Sequence, residues 1–339
     1  MKSLKESIFD DVEDIANNDT ILIEQFLNDN YEIEGSYTIK DGVVDVNGNI
    51  IVKNKNIESF TNELFQFGKV SGGFSCSGCL NLKSLNGVPE EIGKWFNCYK
   101  CDELTSLEGV PEKVGGNFEC SSCHKLKSLE GAPKKVGGNF ECTGCKNLIS
   151  LKGAPEEVGA CFYCSGCGSL TSLEGAPEKV GWDFYCYNCL NLKSLKGAPK
   201  EVCGDFCCYN CHNLASLEGA PEKVDGNFDC SGCEKLKSLK GAPEKVGRDF
   251  NCNECKGLTS LEGVPEKIRG QFNCSECPNL VSLKGSPKKV GGNFDCSLCT
   301  KLTSLEGAPE KVTWYFYCHN CKNLMITYQD RKKYKIKDQ

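Results

Sequence analysis

Several absences narrow the possibilities for this chain. It has no run of 18 apolar residues, so no segment reads as a membrane-spanning helix. Residues 1–10 carry acids among the apolar positions and lack the unbroken apolar stretch of a secretory signal, so a cytoplasmic location is expected. There is no excess of positive charge: 40 Lys and Arg face 46 Asp and Glu, for a net charge of -6, which argues against a nucleic-acid binder that works by neutralising phosphates. Histidine is scarce. His124, His212 and His319 each stand beside a cysteine, but at a repeat turn where no partner is fixed, so no catalytic constellation is found and no enzyme is expected. No glycine-rich loop fits a nucleotide site either, since Val114-Gly115-Gly116 recurs as a turn. Proline is almost confined to one place, with eleven of twelve in a single repeating slot.

What is present is a folded composition, 39 % hydrophobic and 25 % charged, in 339 residues, enough for two domains or one elongated array. The periodicity decides between them. Phe74, Phe96, Phe118 and so on to Phe316 form twelve phenylalanines at an unbroken spacing of 22 residues. The shared unit is F-x-C-x-x-C-x-x-L-x-S-L-x-G-x-P-x-x-[VI]. Around Phe118 the chain alternates, Phe118 and Cys120 on one side and Asn117 and Glu119 on the other, as a short half-buried strand does. Leu126, Leu129 and Val136 follow at spacings too irregular for a helical face, with a Gly and a Pro between them, which predicts an extended, turning return path. A strand, a turn and a return make one coil of a solenoid whose strands stack in parallel, and no coil buries enough surface to stand alone.

These residues resemble the leucine-rich repeats. Val114-x-x-x-Phe118-x-Cys120-x-x-Cys123-x-x-Leu126 is similar to that family's strand segment in the form where Cys replaces Asn, and Leu129-x-Gly-x-Pro133 is similar to the short extended return of its bacterial type. More narrowly, the unit resembles tandem repeats of large tailed-phage genomes. The resemblance spans residues 74–324 and implies a mostly β, right-handed parallel β-solenoid of the leucine-rich-repeat type with a small helical N-terminal cap, in a family that mostly serves as a binding scaffold.

Four regions are expected. Residues 1–36 form a helical N-terminal cap: Ser3-x-x-Glu6 reads as a capping box opening a helix with Leu4, Ile8, Val12 and Ile15 on one face, and a second helix spans residues 21–27. Residues 37–73 form a strand-rich capping coil, with turn pairs at Asp41-Gly42 and Asn47-Gly48 and a degenerate coil at Ile50-x-Val52 and Ile57-x-Ser59-Phe60. Residues 74–324 are the twelve-coil solenoid, and residues 325–339 are a C-terminal edge strand and basic tail.

Twenty-four of the 27 cysteines lie in the C-x-x-C columns, leaving Cys161, Cys203 and Cys207 outside them. Successive pairs such as Cys76, Cys79, Cys98 and Cys101 meet four-thiolate spacing, so zinc or iron–sulfur clusters stand as an alternative reading. Disulfides between stacked coils are a third. The favoured reading is a reduced core ladder with no cofactor, because Cys120 faces inward with Phe118 and Cys123 takes a slot where a thiol can meet backbone groups.

On the outward face, the 24 positions flanking the phenylalanines hold seven acids, eight Asn or Gln and no Lys or Arg. Glu119 and Glu141, and Asp183 and Asp205, are stacked like charges. Tyr163, Tyr185, Tyr187 and Tyr209 cluster in coils five to seven near Trp182. The expected function is a non-catalytic interaction scaffold that binds a protein or basic peptide, ahead of a glycan, through Tyr163, Asp183, Tyr185, Tyr187, Asp205 and Tyr209. A metal protein using the cysteine columns and a structural subunit stacking end to end are the alternatives. Neither nucleic acid nor membrane is expected as a partner.

Overall fold

The computed structural model describes residues 19–337. The expected helix carrying Leu4, Ile8, Val12 and Ile15 lies outside them. Residues 19–30 form helix α1, longer at both ends than the expected span. A hairpin follows directly, with β1 (Tyr31–Lys40) antiparallel to β2 (Val43–Val52) in continuous register from Tyr31↔Val52 to Lys40↔Val43. Strand structure therefore begins inside the stretch expected to be helical. Asp41 and Gly42 make the turn, with φ of 50° and 73°. Asn47-Gly48 makes none: Gly48 faces Gly35, and a Cβ on either would sit 1.9 to 2.2 Å from a backbone oxygen of the opposite strand. Glycine there lets the two strands approach.

Strand β2 is long enough to start both ladders of the solenoid. Its first half pairs in parallel with β3 (Gln66–Val70), and its second half pairs with the first repeat strand, Ile50 against Phe74. Each coil then contributes two two-residue strands, such as Lys113–Val114 and Phe118–Glu119. The Phe strands stack in parallel and in register from Phe74 to Phe316. The chain is thus a mostly β parallel solenoid, as the period implies. The second ladder, built on Val114, Val136 and Val158, went unread because two residues followed by glycine show no alternation.

Local chemistry explains the repeat letter by letter. Amides of one coil donate to the next, Phe118 to the Asn139 carbonyl at 2.8 Å and Cys120 to that of Glu141 at 2.8 Å. The residue before the second cysteine adopts left-handed backbone in every coil, from Gly78 at φ 73° to Asn320 at φ 56°, which turns the chain off the strand. The serine of S-L-x-G accepts from the amide two residues on, as Ser150 does from Lys152 at 3.0 Å. Its glycine has φ 88° at Gly131, where a Cβ would lie 2.1 Å from the Glu108 amide nitrogen of the preceding coil. No other residue type combines that φ with that approach.

The interior is a column of the twelve phenylalanines, each at 0 % exposure. Successive ring centroids lie 4.8 to 5.8 Å apart, the rings stacked except for the tilted Phe228–Phe250 and Phe250–Phe272 pairs. Both ends of this column are covered by rings. Phe60 and Phe67 meet Phe74 edge-on at 5.3 and 6.2 Å. Tyr334 lies 4.7 Å from Phe316, and its hydroxyl donates to the Pro309 carbonyl at 2.6 Å. The tail is not only an edge strand. Helix α2 (Tyr328–Lys333) opens on a Thr327–Asp330 capping box, and Ile336–Lys337 then pairs with Phe316–Tyr317. Helix is therefore not confined to the N-terminal end. No helix among the described residues is long and apolar enough to cross a membrane.

Candidate functional site

The outward face carries three rows per coil: the residue before Phe, the residue after it, and the residue after the first cysteine. In-register pairing fixes each row, so side chains 22 residues apart become neighbours. Tyr163 stacks on Tyr185, centroids 4.9 Å apart and rings 12° from parallel. Tyr187 stacks on Tyr209 at 4.5 Å and 4°. The two stacks meet where Tyr185 stands edge-on to Tyr187, at 6.2 Å and 79°. All four tyrosines proposed from the sequence are therefore brought together, half-buried rather than fully exposed. Trp182 stays 65 % exposed.

Asp183 joins the cluster directly: its Oδ2 accepts from the Tyr185 hydroxyl at 3.0 Å and from the Cys161 thiol at 3.6 Å. Its Oδ1 accepts from the Asp205 amide at 2.7 Å. Asp205 does the same for the Asn227 amide at 2.7 Å, and its Oδ2 accepts from the Asn227 side chain at 3.2 Å. The stacked aspartates are thus linked by backbone donors rather than set free against each other. Asp205 has no bond to a tyrosine. The same pattern runs through much of the row: Asn117 accepts from the Asn139 amide, Asn139 from Cys161, Asn227 from Asp249, Asp249 from Gln271 and Asn293 from Tyr315. This ladder was missed, although the recurrence of Asn and Asp just before Phe was its signal.

Burial and neighbouring acids raise several titratable groups of the face. Burial, the hydrogen bond to Asp183 and the charge of that carboxylate push the Tyr185 phenol up. Tyr163 is raised by burial and its bond with Cys161, and Tyr209 by burial. Cys207 follows Phe206 on the same face, and burial followed by Asp229, Asp205 and Asp183 pushes its thiol up to about 12. Burial and Glu141 raise the Glu119 carboxyl, and burial raises that of Asp229. The surface is aromatic and acidic. Ser165, two residues after Tyr163 and in the same row as Tyr187, is fully buried, and its hydroxyl has no hydrogen-bond partner.

No disulfide joins any of the 27 cysteines, and all are buried except Cys203. From the second coil on, the second cysteine donates to the carbonyl of the first cysteine one coil earlier: Cys101 to Cys76 at 3.3 Å, Cys123 to Cys98 at 3.1 Å, and so on to Cys321 and Cys296 at 3.1 Å. The slot is thus filled by a weak donor meeting a backbone acceptor. In the Cys76, Cys79, Cys98 and Cys101 set, Cys101 is aimed at a carbonyl. Among the described residues no three Cys, His, Asp or Glu side chains are grouped as a metal site. Burial pushes the Cys79 thiol up to about 11 and raises Cys76 and Cys98 well above the ordinary range.

No protein-family model and no curated protein matches the chain. Among solved structures, a leucine-rich repeat protein from Bacteroides ovatus ATCC 8483 is similar at 16 % identity and a TM-score of 0.39, covering 86 % of this chain and 92 % of that one.

Proposed function

We propose that this protein is a non-catalytic interaction scaffold of the leucine-rich-repeat type. Its outward strand face in coils five to seven binds a protein partner through Tyr163, Tyr185, Tyr187 and Tyr209, with Asp183 and Asp205 alongside. The observation that carries this reading is the pair of tyrosine stacks meeting edge to face on a ladder of fixed register. Tyrosines held this way offer large contact area with little rotamer entropy left to lose, which is what binding hot spots require. The phenylalanine column and the cysteine columns are read as the rigid support, reduced and without cofactor.

The test is recovery of partners from native cell extract with wild type and the Tyr185→Ala/Tyr187→Ala variant in parallel. Loss of about 2 kcal/mol or more of binding is expected if these rings are hot spots. Equal recovery of every partner by both proteins removes this face from consideration.

A further inference from the structure

The face already shows how it holds a cation. Lys337 of the C-terminal strand, in register with Tyr317, places its Nζ 4.6 Å from the centroid of the Tyr315 ring. That contact lies on the same outward face: Tyr315 stands in the row before Phe, where coil six carries Asp183, and Tyr317 in the row after Phe, where coil six carries Tyr185. Ser297, in the row of Ser165 and one coil before His319, is likewise buried with an unpartnered hydroxyl. At the C-terminal end, then, an aromatic and acidic stretch of this face holds a lysine supplied by the chain itself.

Coils five to seven carry a larger aromatic cluster in the adjoining rows of the same face. Two stacked tyrosine pairs meet at 79° and form a two-walled aromatic corner. Asp183 is bonded to one wall, and none of the 24 positions flanking the phenylalanines is Lys or Arg. A ring face attracts a cation through its quadrupole, and a carboxylate beside the ring adds to that attraction.

Resting on the binding reading above, we propose that the Tyr185–Tyr187 corner receives a lysine side chain of the partner protein, its ammonium against the outer ring surface of the pair and near the Asp183 carboxylate. Recognition is of the charge on the partner's side chain, so acetylation of that lysine removes it and methylation, which keeps the charge, does not.

The experiment is a fluorescence-anisotropy titration of the full chain with a labelled peptide of alternating Ser and Lys, against the same peptide with every lysine acetylated. Tyr187→Phe and Tyr187→Ala variants are measured in parallel, and circular dichroism melts establish that each is folded. Acetylation is expected to weaken binding by about tenfold or more. Tyr187→Ala should weaken it by about fivefold or more, while Tyr187→Phe, which keeps the ring, stays within about twofold. Indifference of the lysine peptide to both Tyr187 variants, or equal binding of the acetylated peptide, overturns the proposal. If lysine peptide binding fails these criteria while the Tyr185→Ala/Tyr187→Ala variant still loses its partners from extract, the lysine assignment alone is wrong and the binding face stands.

Discussion

Leu298 sits at φ 61° in the slot before the second cysteine, where other coils place Gly78, Gly144 or Asn188. Left-handed backbone strains a residue with a Cβ, whereas Asn tolerates it, and Leu298 lies at the solvent-facing side of its turn, 37 % exposed. Leu298→Asn should raise stability by about 0.5 to 1 kcal/mol in denaturant unfolding. An unchanged midpoint would mean the turn is not strained. The Asn and Asp ladder before Phe makes a contrasting forecast. Asp205→Asn keeps the acceptor for the Asn227 amide and should cost no more than about 0.5 kcal/mol. Asp205→Ala orphans that donor and should cost about 1 to 3 kcal/mol. Equal losses in thermal melts would show that the ladder contributes nothing. At this scale the inward residues were legible, because Phe118 and Cys120 alternate with polar neighbours. The Asx ladder was not, because an aspartate on an outward row looks the same in sequence whether it faces water or a backbone amide.

Between elements, the stabilising contacts lie across coils rather than within them. Phe184 lies between Phe162 and Phe206 at 5.2 and 5.3 Å, so Phe184→Ala should remove about 3 to 5 kcal/mol. Tyr334 covers only the last ring, so Tyr334→Ala should loosen the final coils first. Hydrogen exchange would show faster exchange at amides such as Phe316 and Cys296, with Cys120 unchanged. Uniform acceleration along the chain would deny Tyr334 a local role as a cap. The repeat coils were readable because their spacing never slips. The two ends were harder. The helical pattern before Tyr31 hid the start of β1, and in the tail the run of lysines suggested an exposed edge while Thr327-x-x-Asp330, a legible capping signal, passed unread.

Over the whole molecule, the cysteine columns tie stability to pH in a definite direction. Burial raises Cys79 to about 11 and Cys299 to about 12, while bonds with Cys76 and Cys296 lower Cys101 and Cys321, so the raised thiols hold their protons in the folded state where the unfolded chain has begun to lose them. Their contribution is therefore fully present below the ordinary thiol value near 9 and is lost as pH rises through the folded values. Each such thiol subtracts about 1.4 kcal/mol per pH unit in that window, so many acting together should make alkaline unfolding steep above about pH 9. A melting temperature that stays flat from pH 8 to about 11 would mean the thiols are not the protonated core groups inferred here. The deciding measurement is native mass spectrometry with elemental analysis on protein purified without chelator, followed by alkylation with and without denaturant. The expected result is the bare chain mass with negligible zinc and iron, Cys203 modified rapidly in the folded state, and all 27 thiols modified once unfolded without reductant. Stoichiometric zinc or iron, or thiols that appear only after reduction, would contradict a scaffold built on a reduced cysteine core.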